Sequence, residues 1–251
     1  MKCFLSILFF LCLAIVLKAG PISDYYVTGW VNQGIYALQG NAIKNSWANA
    51  GSYELAIVVD DRVRTYSHNV GYNGAEYTLS GSFTGKTYVN NLGANAHDAT
   101  TDGTYYYLFS HGAQTIYKFE KDWQNPQVLF SFTGAARLGI TYDPTDNTLW
   151  ISGWGTGLVE HYTMSGGLLG SFATDTYTSA LALDHADGTL WLSSGATNTF
   201  KQYSKSGTLL STVTYSAVTG NIYGGEFAFI IPESNSLFFI FGALIAFFLK
   251  K

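Results

Sequence analysis

Cysteine is almost absent: the 251 residues hold two, Cys3 and Cys12, both inside the apolar run that opens the chain. Once that run is removed on export no thiol remains, which excludes disulfides, thiol nucleophiles and thiolate metal sites together. Cys12 follows Leu11, not the Ala or Gly that normally precedes a lipid-modified cysteine, and reads as a small apolar filler. Charge is scarce too, with 13 Lys and Arg against 17 Asp and Glu and a net charge of −4. Lys2, Lys18, Lys250 and Lys251 lie at the two ends, so the middle is more acidic still. Nucleic acid is therefore excluded as a partner, because phosphate binding needs a basic stripe. Helical periodicity of useful length is missing outside the termini. So are a GxSxG elbow, an HxxxH pair and a phosphate loop; "GWGTG" (153–157) lacks the Lys-Ser/Thr and helix that a phosphate cradle needs.

What is present divides the chain in three. Met1 and Lys2, an apolar run from Cys3 to Leu17 broken only by Ser6, and a small-residue exit at Ala19 or Gly20 make a secretory signal peptide over residues 1–20. Residues 21–231 form the working domain. Residues 232–251 hold a polar break, thirteen apolar residues (237–249) and the terminal lysines. An apolar helix is expected at each end of the chain.

The middle is a repeat. Residues 139–172 and 180–213 align without a gap at an offset of 41 with twelve identities, including Asp143/Asp184, Trp150/Trp191, Tyr162/Tyr203 and Gly166/Gly207. Asp146-Asn147 and Asp187-Gly188 separate apolar runs, which predicts two-residue hairpins with positive φ at both positions. Ser165-Gly166 and Ser206-Gly207 mark the next corner, and "TLWIS" and "TLWLS" are strands. A four-stranded unit of ~40–45 residues predicts propeller blades. Weaker copies run from Thr101 to Phe132 and from Tyr53 to Phe83. "YYVTGW", "GIYALQ" and "AIKNSW" supply three strands of another blade, and "GGEFAFII" (224–231) supplies its missing first strand. Pairing these terminal pieces closes an all-β ring of five four-stranded blades and removes its open edges. Six blades is the alternative, with extra strands within 86–96.

Asp143 and Asp184, with Asp98 as a third copy, are read as structural, because one active site needs a residue once and a corner needs it in every blade. His97, Asp98 and His111 fall near strand ends that approach the axial mouth. Trp154 is a loop aromatic that its sister blade replaces with Gly195, so it is the best candidate for stacking on a sugar. These four are the candidate ligand-binding residues. Neither a metal site nor a cofactor is expected.

"GGEFAFIIPESNSLFFIFGALIAFFLKK" (224–251) resembles the C-terminal sorting region of PEP-CTERM proteins of Gram-negative bacteria. Pro232, Glu233 and Ser234 occupy the motif, Ser234 replacing its usual second proline, and Lys250 and Lys251 form the basic end. The resemblance implies export, recognition by an exosortase-type membrane protease, and release or transfer to the cell surface, often alongside exopolysaccharide. The tail alternatively reads as a plain membrane anchor. Thirteen residues rising 1.5 Å each make a helix of only ~20 Å against a ~30 Å hydrocarbon core. The functional expectation is thus an exported, non-catalytic, cell-surface or matrix propeller that binds a polysaccharide or a surface protein. The alternatives are a lactonase-like or glycan-cleaving hydrolase and a membrane-anchored periplasmic sensor. The hydrolase requires two or three of His97, Asp98, His111, Asp143 and Asp184 to converge.

Overall fold

The computed structural model describes residues 20–30 and 34–229. The expected terminal helices, Ala19 and the residues Pro232, Glu233, Ser234, Lys250 and Lys251 lie outside the described residues. Gly20 is the first described residue and sits against the Gly40 carbonyl. Among the described residues no helix is long and apolar enough to cross a membrane.

Twenty strands form five separate four-stranded antiparallel sheets. The first contains β1 (Tyr25–Gly29), β2 (Gly34–Gln39) and β3 (Ala42–Ala48). The second is β4 (Glu54–Val59), β5 (Val63–Ser67), β6 (Asn73–Tyr77) and β7 (Phe83–Val89). The third is β8 (Asp98–Thr101), β9 (Tyr105–Ser110), β10 (Thr115–Glu120) and β11 (Gln124–Ser131). The fourth is β12 (Arg137–Asp143), β13 (Thr148–Gly153), β14 (Leu158–Thr163) and β15 (Leu168–Ala173). The fifth is β16 (Ser179–Asp184), β17 (Thr189–Ser193), β18 (Thr199–Tyr203) and β19 (Leu209–Thr214). Finally β20 (Ile222–Phe227) pairs with β1 and completes the first sheet in the order β20-β1-β2-β3. This is the expected five-bladed propeller, closed by strands from opposite ends of the chain. The closing strand begins two residues earlier than expected and ends at Phe227, because Tyr25 pairs with Phe227 and Gly29 with Ile222. Residues 90–97 connect two blades and hold no extra strand.

Each interface between neighbouring blades has its own apolar core, which is why one short motif can be repeated. Between the third and fourth blades, Tyr107, Phe109 and Ile116 meet Ile140, Leu149 and Ile151. Between the fourth and fifth, Trp150 and Val159 meet Leu181, Leu190 and Leu192. Trp191 does the equivalent against Tyr25 and Phe227 of the first blade. Five such cores surround the five inner strands.

The corners explain the repeated polar residues. Asp60, Asp102, Asp143 and Asp184 each follow or end an inner strand and accept the backbone N–H two residues on, at 2.7–3.2 Å. The third copy is therefore Asp102, not Asp98; Asp98 opens its strand, where the fourth blade has Gly139. The corner after the inner strand is also wider than the expected two-residue hairpin. In the fourth blade it spans 144–147, with positive φ at Asn147 but not at Asp146; in the fifth the same holds for Gly188 and Asp187. The Asp side chain bonds across the corner, so only its last residue must turn left-handed. The glycine at the corner after the third strand has a second duty. A Cβ on Gly166 would come within 2.9 Å of Phe130, and one on Gly81 within 2.5 Å of Trp47. Both also have positive φ, so each seats on an aromatic ring of the preceding blade's outer strand as no larger residue would.

Candidate functional site

The meander places two sets of loops at opposite ends of the ring. Corners after the second strands, and the connections from outer to inner strands, lie at the upper end; the other corners lie at the lower end with residues 20–24 and 228–229.

At the upper end one position recurs. The second strands β1, β5, β9 and β13 end in Gly29, Ser67, Ser110 and Gly153, and the next residue is Trp30, His68, His111 and Trp154 respectively. Three of the four donate their backbone N–H to the residue just ahead of the inner strand, at Asn221, Tyr53 and Ala136. His111 donates instead to His97 Nδ1 at 3.3 Å. His97 and Tyr223, from the starts of inner strands β8 and β20, complete the set.

These six rings form a closed circuit. Centroid separations are 4.8 Å for Trp30–His68, 4.4 Å for His68–His97 and 5.1 Å for His97–His111. The circuit continues at 6.3 Å for His111–Trp154, 5.6 Å for Trp154–Tyr223 and 6.2 Å for Tyr223–Trp30. Most meet edge to face, the arrangement that the ring quadrupole favours. Tyr53 and Tyr177 extend the rosette outward from Trp30 and Trp154. His68 is buried, the other five are half-buried, and Tyr177 is exposed.

The bonds within the rosette set its tautomers. Nδ1 of His68 lies 2.9 Å from the Ala96 carbonyl and Nδ1 of His111 lies 2.8 Å from that of Arg137. A carbonyl only accepts, so in the neutral rings Nδ1 carries the proton and Nε2 keeps a free lone pair. Burial lowers the pKa of His68, and it lowers that of His97 to about 3, with His68 and His111 adding to the effect. Both rings are neutral at physiological pH. Arg137, beside the rosette, is paired with Glu160 at 2.5 Å and lies 4.4 Å from the Phe132 ring centroid.

The structure thus brings together His97, His111 and Trp154 and separates Asp98 from them. Asp98 has no exposed surface. Its carboxyl accepts N–H groups from Gly225, Ile140 and Ala99, which belong to three different blades, and so ties inner strands across the axis. Asp143 and Asp184 are at the other end of the ring. Asp143 accepts from Trp150 Nε1 at 3.1 Å and pairs with Lys205 at 2.6 Å. Asp184 accepts from the Ile22 and Ser23 amides and the Ser23 hydroxyl, and Trp191 Nε1 is left without a partner among the described residues. Trp30, His68 and Tyr223 escaped the sequence reading. The signal was there as "TGW", "YSH", "FSH" and "SGW", a small residue and then a ring in the same phase of four blades.

Two other places gather side chains that could suggest a site. Thr148 Oγ1 lies 2.6 Å from His161 Nε2 and 2.5 Å from Asp146. The sister blade builds the same knot from Thr189, Gln202 and Asp187. Glutamine cannot act as a base, so the knot is a structural one. A cleft of about 830 Å³ at the lower end is walled by Tyr26, Ala37, Leu79 and Ala228, with Lys44 and His185 at its edge. Among the described residues no group of three or more His, Cys, Asp or Glu is disposed to hold a metal ion.

No protein-family model and no curated protein matches the chain. Solved structures do. A chain of a nidogen/laminin complex superposes with a TM-score of 0.58 at 14% identity, covering 82% of this chain and 98% of that one. A structural genomics protein of unknown function from Bacteroides thetaiotaomicron gives 0.56 at 12%, over 82% and 65%. The glutaminyl cyclase of Myxococcus xanthus gives 0.50 at 12%, over 70% and 71%. At such identities the likeness is one of fold, and the proteins that share it include enzymes and non-enzymes.

Proposed function

We propose that the chain is an exported, non-catalytic binding module that holds a neutral carbohydrate on the upper rosette, and that its C-terminal tail is read by an exosortase-type protease at the membrane. The observation that carries the binding reading is the closed circuit of six rings around the axial mouth. Half-buried Trp and Tyr rings offer apolar faces to the C–H faces of a sugar, and in the neutral ring the Nε2 lone pair of half-buried His111 accepts a sugar hydroxyl. His68 and His97 are held neutral and the nearby Arg137 is already paired, which favours an uncharged ligand over a phosphorylated or acidic one.

Immobilised neutral polysaccharides should retain the full chain in detergent, with little effect of salt. Trp154→Ala and Trp30→Ala should each weaken retention about tenfold while leaving the melting temperature nearly unchanged. Absence of binding to any neutral glycan, or binding indifferent to both substitutions, overturns the reading.

One observation favours the hydrolase instead: His97 and His111 do converge. Two features weigh against it. A base whose conjugate acid has a pKa of about 3 is a poor proton acceptor at neutral pH. Asp98, the nearest carboxyl in sequence, is spent on backbone amides. Turnover of a glycan or lactone that His97→Ala removes and Trp154→Ala spares would establish the enzyme.

A further inference from the structure

Both ends of the described fold lie at the lower end of the ring. Ile22 and Ser23 are bonded to Asp184 at one lower corner, and the Gly40 amide donates to Pro21. At the other end the Phe229 amide donates to Val59 and its ring packs 5.2 Å from His185.

The same end carries exposed apolar side chains. Ile22, Leu79 and Phe83 are 56%, 41% and 47% exposed. Leu168 and Leu169 open β15 straight after a lower corner at 58% and 54% exposure, and Leu209 and Leu210 open β19 in the same way at 50% each. A β-bulge falls at each pair: Leu169 and Leu210 are the extra residues between the partners of His161 and Tyr162 and of Gln202 and Tyr203. The bulge sets both leucines of a pair against one partner residue, so each pair presents a local apolar knob to solvent, repeated in neighbouring blades. At the upper end the exposed apolar residues are single valines, Val70 and Val89, and the tyrosines Tyr72 and Tyr177, with no adjacent pair.

The chain beyond the fold says what covers this face. The apolar runs of residues 3–17 and 237–249 join it here, three residues before Gly20 and eight after Phe229. An extended chain spans at most ~3.5 Å per residue, so the runs begin within about 10 Å and 28 Å of this face. Whichever run sits in a membrane holds the lower face at the membrane surface, at a high effective concentration. Local charge adds no attraction: Lys44, Arg62, Lys121 and Lys205 are paired with Asp24, Asp61, Asp60 and Asp143, and the exposed Asp146 and Asp187 leave this end acidic.

We propose that the lower face lies against a lipid bilayer, with the leucine pairs of β15 and β19 in its interfacial layer and the aromatic rosette turned away from it. The proposal rests on at least one apolar run being held in the membrane, so it describes the chain while its tail is still attached, before a cut near Pro232; it is independent of what the rosette binds.

The test uses the full chain with Cys3→Ser and Cys12→Ser, reconstituted into phosphatidylcholine vesicles. An environment-sensitive fluorophore is attached to a single cysteine at Leu169→Cys, Leu210→Cys or, at the upper end, Tyr177→Cys. Flotation with the vesicles reports the anchor, and quenching by a headgroup-proximal brominated lipid reports the face. The labels at 169 and 210 should be quenched at least about twofold more than the label at 177, independently of salt. Leu168→Lys with Leu169→Lys should reduce quenching at 210 without lowering the melting temperature. Equal quenching at all three sites, or quenching strongest at 177, overturns the orientation even when the chain floats. Failure to float overturns the anchor it rests on. A response at 169 and 210 that follows protein concentration, not lipid, overturns it in favour of self-association.

Discussion

Glu226 lies on the inner strand β20 with 2% of its surface exposed. One carboxyl oxygen accepts the Phe227 amide at 3.0 Å, and the other has no partner among the described residues. Burial raises its pKa well above the ordinary carboxyl range, against the smaller opposing effects of the nearby Thr100 hydroxyl and the Phe227 amide. An unfolded Glu titrates near 4.3, so above about that pH the unfolded chain has lost a proton that the folded chain keeps. Stability from this group therefore falls as pH rises between the two pKa values, by up to ~1.4 kcal/mol per pH unit. Asp98 acts in the same sense, its pKa raised by burial and by Glu226. His68, His97, His161 and His185 act oppositely: burial lowers their pKa values, so their contribution grows with pH up to about 6.5. The wild-type profile sums both signs, whereas in the difference between Glu226→Gln and wild type the histidine contributions cancel and Glu226, with its effect on Asp98, remains. Glutamine should be neutral or slightly destabilising near pH 4.5 and progressively stabilising above it. For a domain of this size 1 kcal/mol moves the melting temperature by about 2–4 °C. The gap should therefore widen by roughly 3–5 °C per pH unit until Glu226 itself ionises. Scanning fluorimetry of both proteins from acid to mildly alkaline pH measures this. A gap that stays constant or narrows with rising pH refutes the buried, protonated Glu226.

Gly224→Ala would drive a methyl group into the Leu55 carbonyl and to within 2.6 Å of Thr28 Oγ1. It should cost about 3 kcal/mol and at least ~5 °C in melting temperature, whereas Gly170→Ala, with open space around it, should stay within about 0.5 kcal/mol. Asp184→Ala strips three N–H donors and the Ser23 hydroxyl of their acceptor. It should cost ~2 kcal/mol and speed limited proteolysis near Ser23, measured against the intact protein. Once a glycan ligand is in hand, calorimetry should show Trp154→Ala weakening it about tenfold, near 1.4 kcal/mol, with an unchanged melt. Mass spectrometry of the exported protein should find its C-terminus near Pro232 or Glu233; an intact end at Lys251 in the membrane fraction would mean an anchor.

The fold was legible because a propeller stores its instructions locally. Strand, corner and core residues recur at an offset of 41, and each blade needs only its neighbours, so aligning Trp150 with Trp191 already names residues that pack between blades. The closing strand was legible for the same reason, as a first strand with nothing after it. The corner geometry was less so. Asp146-Asn147 reads as a tight hairpin until Asp143 is seen bonding across a longer corner. Asp98 looked like a copy of Asp143 because both are acids near an inner strand, and only the bonds from three blades show that it opens the strand and spans the axis.

What the sequence determined by itself is the unit: its period, its strands, its blade-facing side chains, and the closure of the ring by the two chain ends. These follow from alternation and turn chemistry acting over a few residues. Which residues meet at the axis was decided by tertiary structure alone. Trp30, His68, His97, His111, Trp154 and Tyr223 are spread over nearly the whole chain, and no local pattern states that the closed propeller brings side-chain rings from four blades into contact. The same closure puts both ends of the described fold at the end of the ring that carries the leucine pairs, a relation that exists only once the first and last strands have paired.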